Sequence, residues 1–309
     1  MPLATKAIKQ KIKSVGSIKK ITKTMEMISI SKMRRAVDKA LNSRTYSHYA
    51  LELLVNLSKD KNVSNKLMIP GKSNKELIVL VAGNKGLCGG YHTNLFKALS
   101  FYIKKEEPRN RELKAVTIGK YAEKICKKLN IQNFASFNTF SEYSTIQQTK
   151  ELSDLISEEY ISGDYKSVKI LYTEFLKSTT YKPVLREIFP ISIDTIKNIL
   201  EVTLPEALSG EETQGKITSF DFVDYKFEPN LDSILDSVLP GLVDVVIYQT
   251  LAESFASEHS ARMFAMKNAG DSATAILDRL MLSYNHARQD GITRELSEIV
   301  AGAEALSTN

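Results

Sequence analysis

Between Leu231 and Ala301 the positions that would share one face of a helix recur in alternating steps of four and three. They are Leu231, Leu235, Val238, Leu242, Val245, Gln249, Ala252, Ala256, His259, Met263, Met266, Gly270, Ala273, Leu277, Leu280, Tyr284 and Ala287, then Gly291, Arg294, Glu298 and Ala301. A seam repeating every 3.5 residues specifies a left-handed coiled coil, because under-winding keeps it turned toward a partner. No proline follows Pro240 within it. At 1.5 Å per residue the helix would be about 110 Å long, more than one globular core can hold, so it must lie along another helix. The start of the chain supplies one. Ala4, Ile8, Ile12, Val15, Ile18, Ile21, Met25 and Ile28 keep a similar step, and helix-compatible sequence runs on to about Leu57, a helix of about 80 Å.

Charge supports the pairing. Residues 1–57 hold twelve Lys or Arg against three acids, and residues 231–309 hold eleven acids against five bases, a complementarity that favours association at low salt. Because the globular part joins the end of the first helix to the start of the last, the two should run antiparallel. If both start at that part, the longer overhangs by about 30 Å, roughly twenty residues, from around Asn285 onward. The overhang still carries an apolar stripe of Ile292, Leu296, Ile299, Ala303 and Leu306. An uncovered stripe marks an interaction surface, so the sequence asks for an outside partner around the helix tip.

Between the helices the period changes. Glu76–Ala82 is a continuous apolar run that suits a strand buried on both faces. The glycine-rich Gly83–Gly90 follows, then a helix over Tyr91–Lys105, a strand over Lys114–Ile118, a helix over Lys120–Leu129, a weaker strand over Phe134–Phe140, a helix over Thr145–Ile161, and strands over Val168–Glu174 and Val184–Ile191. Alternating strands and helices imply an α/β fold with right-handed crossovers. The expectation is a Rossmann-like, mostly parallel five-stranded sheet in doubly wound order. Its last strand should be antiparallel, because Phe175–Pro183 is too short for a helical crossover. The resulting division is a helix over 1–58, an α/β domain over 75–192, an irregular or extended connector over 193–229 and a helix over 230–309, with Asn230 as its N-cap.

Composition narrows the chemistry. No run of eighteen apolar residues is present, so no membrane span is expected. Two cysteines, Cys88 and Cys126, without framework spacing suggest a reducing compartment. The basic N-terminus superficially resembles a mitochondrial transit peptide, but it is Lys-rich, lacks Arg before Arg34, and its heptad runs on into the main helix. The net charge of +6 hides a basic first helix that would suit nucleic acid or anionic lipid. No aromatic residues interleave with those lysines as stacking platforms, and they are read as a solvated face complementing an acidic partner.

Gly83, Gly86, Gly89 and Gly90 sit where a phosphate-binding turn would. They form neither GxGxxG nor a Gly-Lys-Ser/Thr motif, so a tight turn with close backbone approach is the reading, with no nucleotide or other cofactor. His48, His92, His259 and His286 are scattered, without metal-ligand clustering. Cys88 and His92 lack a third group to orient a nucleophile. The methionines of the long helices, Met25, Met27, Met33, Met263, Met266 and Met281, read as seam filling or as an adaptable contact surface. A non-catalytic chain follows, with a nucleotide-binding α/β enzyme carrying a coiled-coil arm, or a coiled-coil nucleic-acid-binding or scaffold protein, as the alternatives.

Several motifs resemble the gamma subunit of F-type rotary ATP synthases. They are Ile18–Ile28 (IKKITKTMEMI) with Lys32–Ala36 (KMRRA), Gly86–Gly90 (GLCGG), Ala256–Met263 (ASEHSARM) with Met266–Asn268, and Tyr284–Gln289 (YNHARQ) through Ile292–Leu296 (ITREL). Their order and spacing match over essentially the whole chain. The resemblance implies an antiparallel coiled coil with an α/β domain at its foot. It implies three alpha and three beta subunits around the coil, and a foot on the c ring that binds the epsilon subunit. It also implies a rotor shaft that couples proton transport to ATP synthesis or hydrolysis.

By position, the resemblance makes Lys23, Met25 and Lys32 the region facing beta-subunit loops, and Arg262, Gln289, Thr293 and Glu295 a catch on a beta subunit. Ile292, Leu296 and Ile299 become the tip in its bearing. Tyr225, Phe227 and Glu228 become contacts to the c ring and epsilon. The family start at Met1 points to a bacterial protein on the cytoplasmic face of the inner membrane, held there through the complex. Two departures stand out. Asp290-Gly291 falls where the family has small helix formers and predicts a softer point below the tip, and Arg294 replaces a neutral amide. The absence of an extra cysteine pair in 193–216 argues against thiol regulation.

Overall fold

A computed structural model describes residues 3–57, 65–106, 112–191 and 231–307. The expected connector, the Asn230 cap and Tyr225, Phe227 and Glu228 lie outside the described residues. The elements are α1 (Leu3–Leu57), β1 (Lys75–Val81), α2 (Tyr91–Glu106), β2 (Glu112–Ile118), α3 (Lys120–Lys128), β3 (Gln132–Phe137), α4 (Ile146–Ile161), β4 (Ser167–Lys177), β5 (Thr180–Phe189) and α5 (Leu231–Ser307). Two compact units result, one formed by Met1–Ser29 with Arg262–Asn309 and the other by Ile30–Ala261. Both long helices contribute residues to both units.

In the unit formed by Ile30–Ala261 the sheet order is β3-β2-β1-β4-β5. β1 pairs in parallel with β2 and β4, β2 in parallel with β3, and β5 is antiparallel to β4. The expected doubly wound sheet with an antiparallel last strand is therefore found, although β5 begins at Thr180 and closes a tight hairpin on β4. Six of the seven residues of β1 are buried, as its uninterrupted apolar run requires. Leu77, Val79 and Val81 fill one face while Ile78 and Leu80 fill the other, where Tyr91, Leu95 and Leu99 of α2 and Ala122 and Ile125 of α3 join their core cluster. Buried carboxylates in this unit are held by donors, as at Glu76. Glu76, 1% exposed, accepts from Ser167 Oγ at 3.2 Å and from Lys169 Nζ at 3.3 Å, and Tyr102 donates to its other oxygen. That set of donors offsets the desolvation of the carboxylate.

In the unit formed by Met1–Ser29 and Arg262–Asn309, α1 runs toward residue 29 and α5 runs away from residue 262, so the pair is antiparallel. Burial on α5 follows the expected seam: Met266, Ala273 and Gly291 are buried, and Leu277, Leu280, Tyr284 and Ala287 are half-buried. The α1 seam departs from expectation. Thr5, Thr22 and Ser29 are buried, whereas Ile18, Ile21 and Ile28 are 51%, 58% and 50% exposed. The reason is period. From Val15 the apolar residues advance by three to Ile18 and by three again to Ile21, and this rotates them off a line that strictly repeats every 3.5 residues.

The seam instead uses small hydroxylated residues whose protons stay within the helix. Thr22 Oγ1 donates to the Lys19 carbonyl at 3.0 Å and Ser29 Oγ to that of Met25 at 2.7 Å. Opposite Thr22 lies Gly270, where an added Cβ would stand 3.4 Å from Thr22 Oγ1. The backbones approach closely there because neither side fills the gap.

Mean hydropathy over part of α5 reaches 1.3, a level found in membrane spans, but 61% of that window is buried in the structure. The burial is that of a helix packed against protein.

Gly270→Ala is expected to be neutral or to stabilise by up to about 1 kcal/mol, because the Cβ fits in ordinary contact and removes the helix penalty of glycine. Gly270→Leu is expected to destabilise by roughly 1–3 kcal/mol through overpacking. Urea unfolding followed by circular dichroism checks both.

Candidate functional site

In an open α/β sheet, ligands bind outside the carboxyl ends of the strands where the strand order reverses. Here that point lies between β1 and β4, and α5 fills it. A Cβ on Gly83 would stand 2.5 Å from Glu258 Cδ and 2.6–2.7 Å from its carboxylate oxygens. Tyr91, at the start of α2, places its hydroxyl 2.8 Å from Ser254 Oγ and donates to the Ser254 carbonyl at 3.2 Å. Ser257 Oγ donates to the Thr173 carbonyl at 3.0 Å, and Ser260 Oγ to that of Ser178. Every residue of α5 from Leu251 to Ala261 is buried.

This stretch reads Leu-Ala-Glu-Ser-Phe-Ala-Ser-Glu-His-Ser-Ala. Its serines are small enough for close approach and carry donors for the carbonyls at the ends of the strands. The Glu258 carboxylate beside the glycine-rich turn repels phosphate and takes the space it would need. Burial first, then the charge of Glu258, pushes the Tyr91 hydroxyl well above its ordinary range, so it remains a neutral donor to α5. The glycine turn is thus built for close approach, as expected. Gly83 admits Glu258, Gly86 admits the Tyr121 hydroxyl, and Gly89 has φ 56°.

A second set of contacts joins α1 to the loop between β3 and α4. Lys32 Nζ lies 2.6 Å from Glu142 Oε1, and His259 Nε2 of α5 lies 3.4 Å from Glu142 Oε2. Arg35 bonds to the Tyr143 hydroxyl at 2.5 Å with its guanidinium 5.3 Å from that ring, and Lys39 Nζ donates to the Ser144 carbonyl at 2.8 Å. Burial alone would raise the pKa of Glu142. The bonds from His259 and Lys32 outweigh it and hold the carboxyl down at about 2. The seam histidine is therefore a packed polar residue in an ion-pair network, and three basic residues of α1 are engaged inside the chain. The signal in the sequence was the spacing Lys32, Arg35, Lys39, one face of a helix, but its acidic partner lies 103 or more residues away.

The remaining predicted residues fall into separate places. Lys23 is exposed and pairs with Glu26 on its own helix at 3.1 Å, and Met25 is half-buried. Arg262 is 7% exposed, whereas Gln289, Thr293 and Glu295 are exposed on the helix surface. Twenty-seven positions separate Arg262 from Gln289, about 40 Å of helix, so the four do not form one cluster. Gln289, Thr293 and Glu295 instead share the tip with Ile292, Leu296, Ile299 and Val300, which are 49%, 56%, 67% and 59% exposed. Coverage of the seam ends at Gly291, several residues beyond the expected Asn285. Gly291 is helical and buried, which gives the glycine a packing role. Among the described residues no group of histidine, cysteine or carboxylate side chains is placed to hold a metal.

A family model described as ATP synthase matches residues 4–306. The ATP synthase gamma chain of Variovorax paradoxus is 34% identical over 98% of this chain and 99% of its own length, and that of Polynucleobacter necessarius is 36% identical over 98% and 99%. The chain belongs to the ATP synthase gamma chain family. The gamma chain fold recurs in solved structures. The match to the Euglena gracilis mitochondrial ATP synthase, OSCP/F1/c-ring, has a TM-score of 0.64 at 17% identity and covers 98% of this chain and 94% of that one. The match to the Tetrahymena thermophila mitochondrial ATP synthase, central stalk/c-ring, has a TM-score of 0.55 at 20% identity, with 81% and 99% covered. A gamma chain is a non-catalytic subunit, and an α/β domain whose ligand crevice holds its own helix suits that role.

Glu142→Gln is expected to destabilise the protein by about 2–3 kcal/mol, below the figure for a fully buried pair because Lys32 is partly exposed. The lowered pKa of Glu142 makes its contribution full above about pH 5, and that contribution is lost as pH falls from there toward 2. Thermal unfolding between pH 2 and 7 should therefore show a shallower acid limb in the variant than in the parent.

Proposed function

We propose that the chain is the central rotor shaft of an F-type ATP synthase. It carries torque between a membrane-embedded, proton-driven c ring and a head of three alpha and three beta subunits. The observation that carries this reading is the tip of α5. Its apolar positions beyond Gly291 leave the covered seam and stand half or more exposed, and they ask for a surrounding sleeve. The shaft does no bond chemistry. Its two helices present different faces around their circumference, so each beta subunit meets a different surface. Each surface biases its beta subunit toward an open or a closed nucleotide site, which is coupling carried by rigid-body rotation.

Within this reading Ile292, Leu296 and Ile299 turn in an apolar bearing, and Gln289, Thr293 and Glu295 supply polar catches on a beta subunit. Lys23 and Met25, with the exposed Ile18, Ile21 and Ile28, face the head along α1. Lys32 and Arg262 act from within the chain, positioning the helices they belong to. Tyr225, Phe227 and Glu228 meet the c ring and the epsilon subunit. The complex holds the chain peripherally at the cytoplasmic face of a bacterial inner membrane.

The test is reconstitution with alpha and beta subunits from the same source. A complex holding one copy of this chain per three alpha–beta pairs, with cooperative ATP hydrolysis, is expected. Truncation after Gly291 should keep that stoichiometry, because the covered seam is intact, while lowering hydrolysis by about half or more. Ile292→Ser/Leu296→Ser/Ile299→Ser should act in the same direction. If the chain joins no complex and self-associates through its tip, the reading fails.

A further inference from the structure

Helices α2 and α3 build a groove that the rotor reading does not use. It is an open depression of about 550 Å³ lined by residues of these two helices. Its wall is fixed. The His92 ring stacks on that of Tyr121 with centroids 3.9 Å apart and planes 3° from parallel, and His92 Nε2 lies 3.2 Å from the Lys85 carbonyl. Gly86 makes this possible, because a Cβ there would stand 2.7 Å from the Tyr121 hydroxyl. Phe96 lines the floor and packs against the buried core. A floor of this kind takes an apolar side chain.

The rim has one sign of charge. Lys124, Lys127 and Lys128 line it and all three are exposed, with Lys124 Nζ 4.7 Å from the centre of the Tyr121 ring. No carboxylate is among the described residues lining the groove. The acid of α3, Glu123, instead accepts from Asn138 Nδ2 at 2.6 Å. Tyr121 is covered by His92 and approached by Lys124, which leaves Phe96 as the remaining aromatic ring of the lining, whereas single-stranded nucleic acid is bound on a series of stacking platforms. The groove is shallow and open to solvent, which suits the face of a docked element and not an enclosed small ligand.

We propose that this groove docks an acidic amphipathic helix of a protein partner, with an apolar side chain on Phe96 and carboxylates on Lys124, Lys127 and Lys128. The shape follows the helix-in-groove mode of recognition, and the uniform charge of the rim selects the sign of the partner. The proposal stands apart from the rotor reading, since it concerns a surface of the α/β unit alone.

The test uses the full chain and two labelled helical probe peptides with the same leucine face, one carrying glutamates and the other lysines on the opposite face, read by fluorescence anisotropy. The acidic probe is expected to bind at least about tenfold more tightly, with a preference that falls as salt is raised. Lys124→Glu/Lys127→Glu/Lys128→Glu should reverse the order of the two probes, which loss of folding would not do. Thr93→Arg places a bulky cation in the groove, and it should weaken the acidic probe although it adds positive charge. Equal binding of the two probes, or tighter binding to Thr93→Arg, would show general charge attraction and overturn the proposal. Vesicles of phosphatidylcholine with phosphatidylglycerol supply the last arm. Lysine-dependent flotation with them, and no binding of the acidic probe, would assign the rim to a membrane surface instead.

Discussion

The seating of α5 in the mouth of its own sheet is the contact on which the architecture depends. A long helix has no intrinsic reason to stay with an α/β domain. It stays because Leu251–Ala261 sets small side chains, hydroxyl donors and the Glu258 carboxylate where strand carbonyls and a glycine turn leave room for them. Apolar packing alone would leave the carbonyls of Thr173 and Ser178 without the hydroxyl protons they receive, and buried acceptors without partners are expensive. The serines meet that demand while keeping the helix close to the sheet. Glu258 goes further, since its carboxylate turns a crevice of a ligand-binding kind into a structural joint.

The coiled-coil unit solves a related problem with different residues. Its α1 seam is built from Thr5, Thr22 and Ser29, not from the isoleucines beside them. Small residues bring the two backbones together, and the bulkier apolar residues are thereby left on the outside. One amphipathic pattern cannot serve two surfaces on a helix, so this one drifts, first facing its partner and then facing away. What resembles an imperfect heptad is two superposed stripes.

Much of this was legible in the sequence, and the exceptions have physical causes. The buried run of β1, the antiparallel last strand and the α5 seam from Met266 to Ala287 follow from local period and loop length. The α1 seam beyond Val15 was misread because hydrophobicity was followed where size decides packing. The network of Lys32, Glu142 and His259 was hidden because its members meet only through the tertiary fold. Arg262 and Gln289 share a catch only by resemblance, since twenty-seven positions separate them on one helix. The covered seam ends later than helix lengths predict, at the buried Gly291.

The coiled-coil unit joins residues before 30 to residues after 261. Such a seam is closed by contacts between very distant parts of the chain, and a ribosome releases the first helix long before its complement exists. Through all of that time Thr22 and Ser29 face water on one side, and Ile18, Ile21 and Ile28 do so on the other. The early helix is thus a nascent segment with two sticky edges and a strong positive charge. Mutual repulsion among the lysines of such segments opposes contact between neighbouring nascent chains.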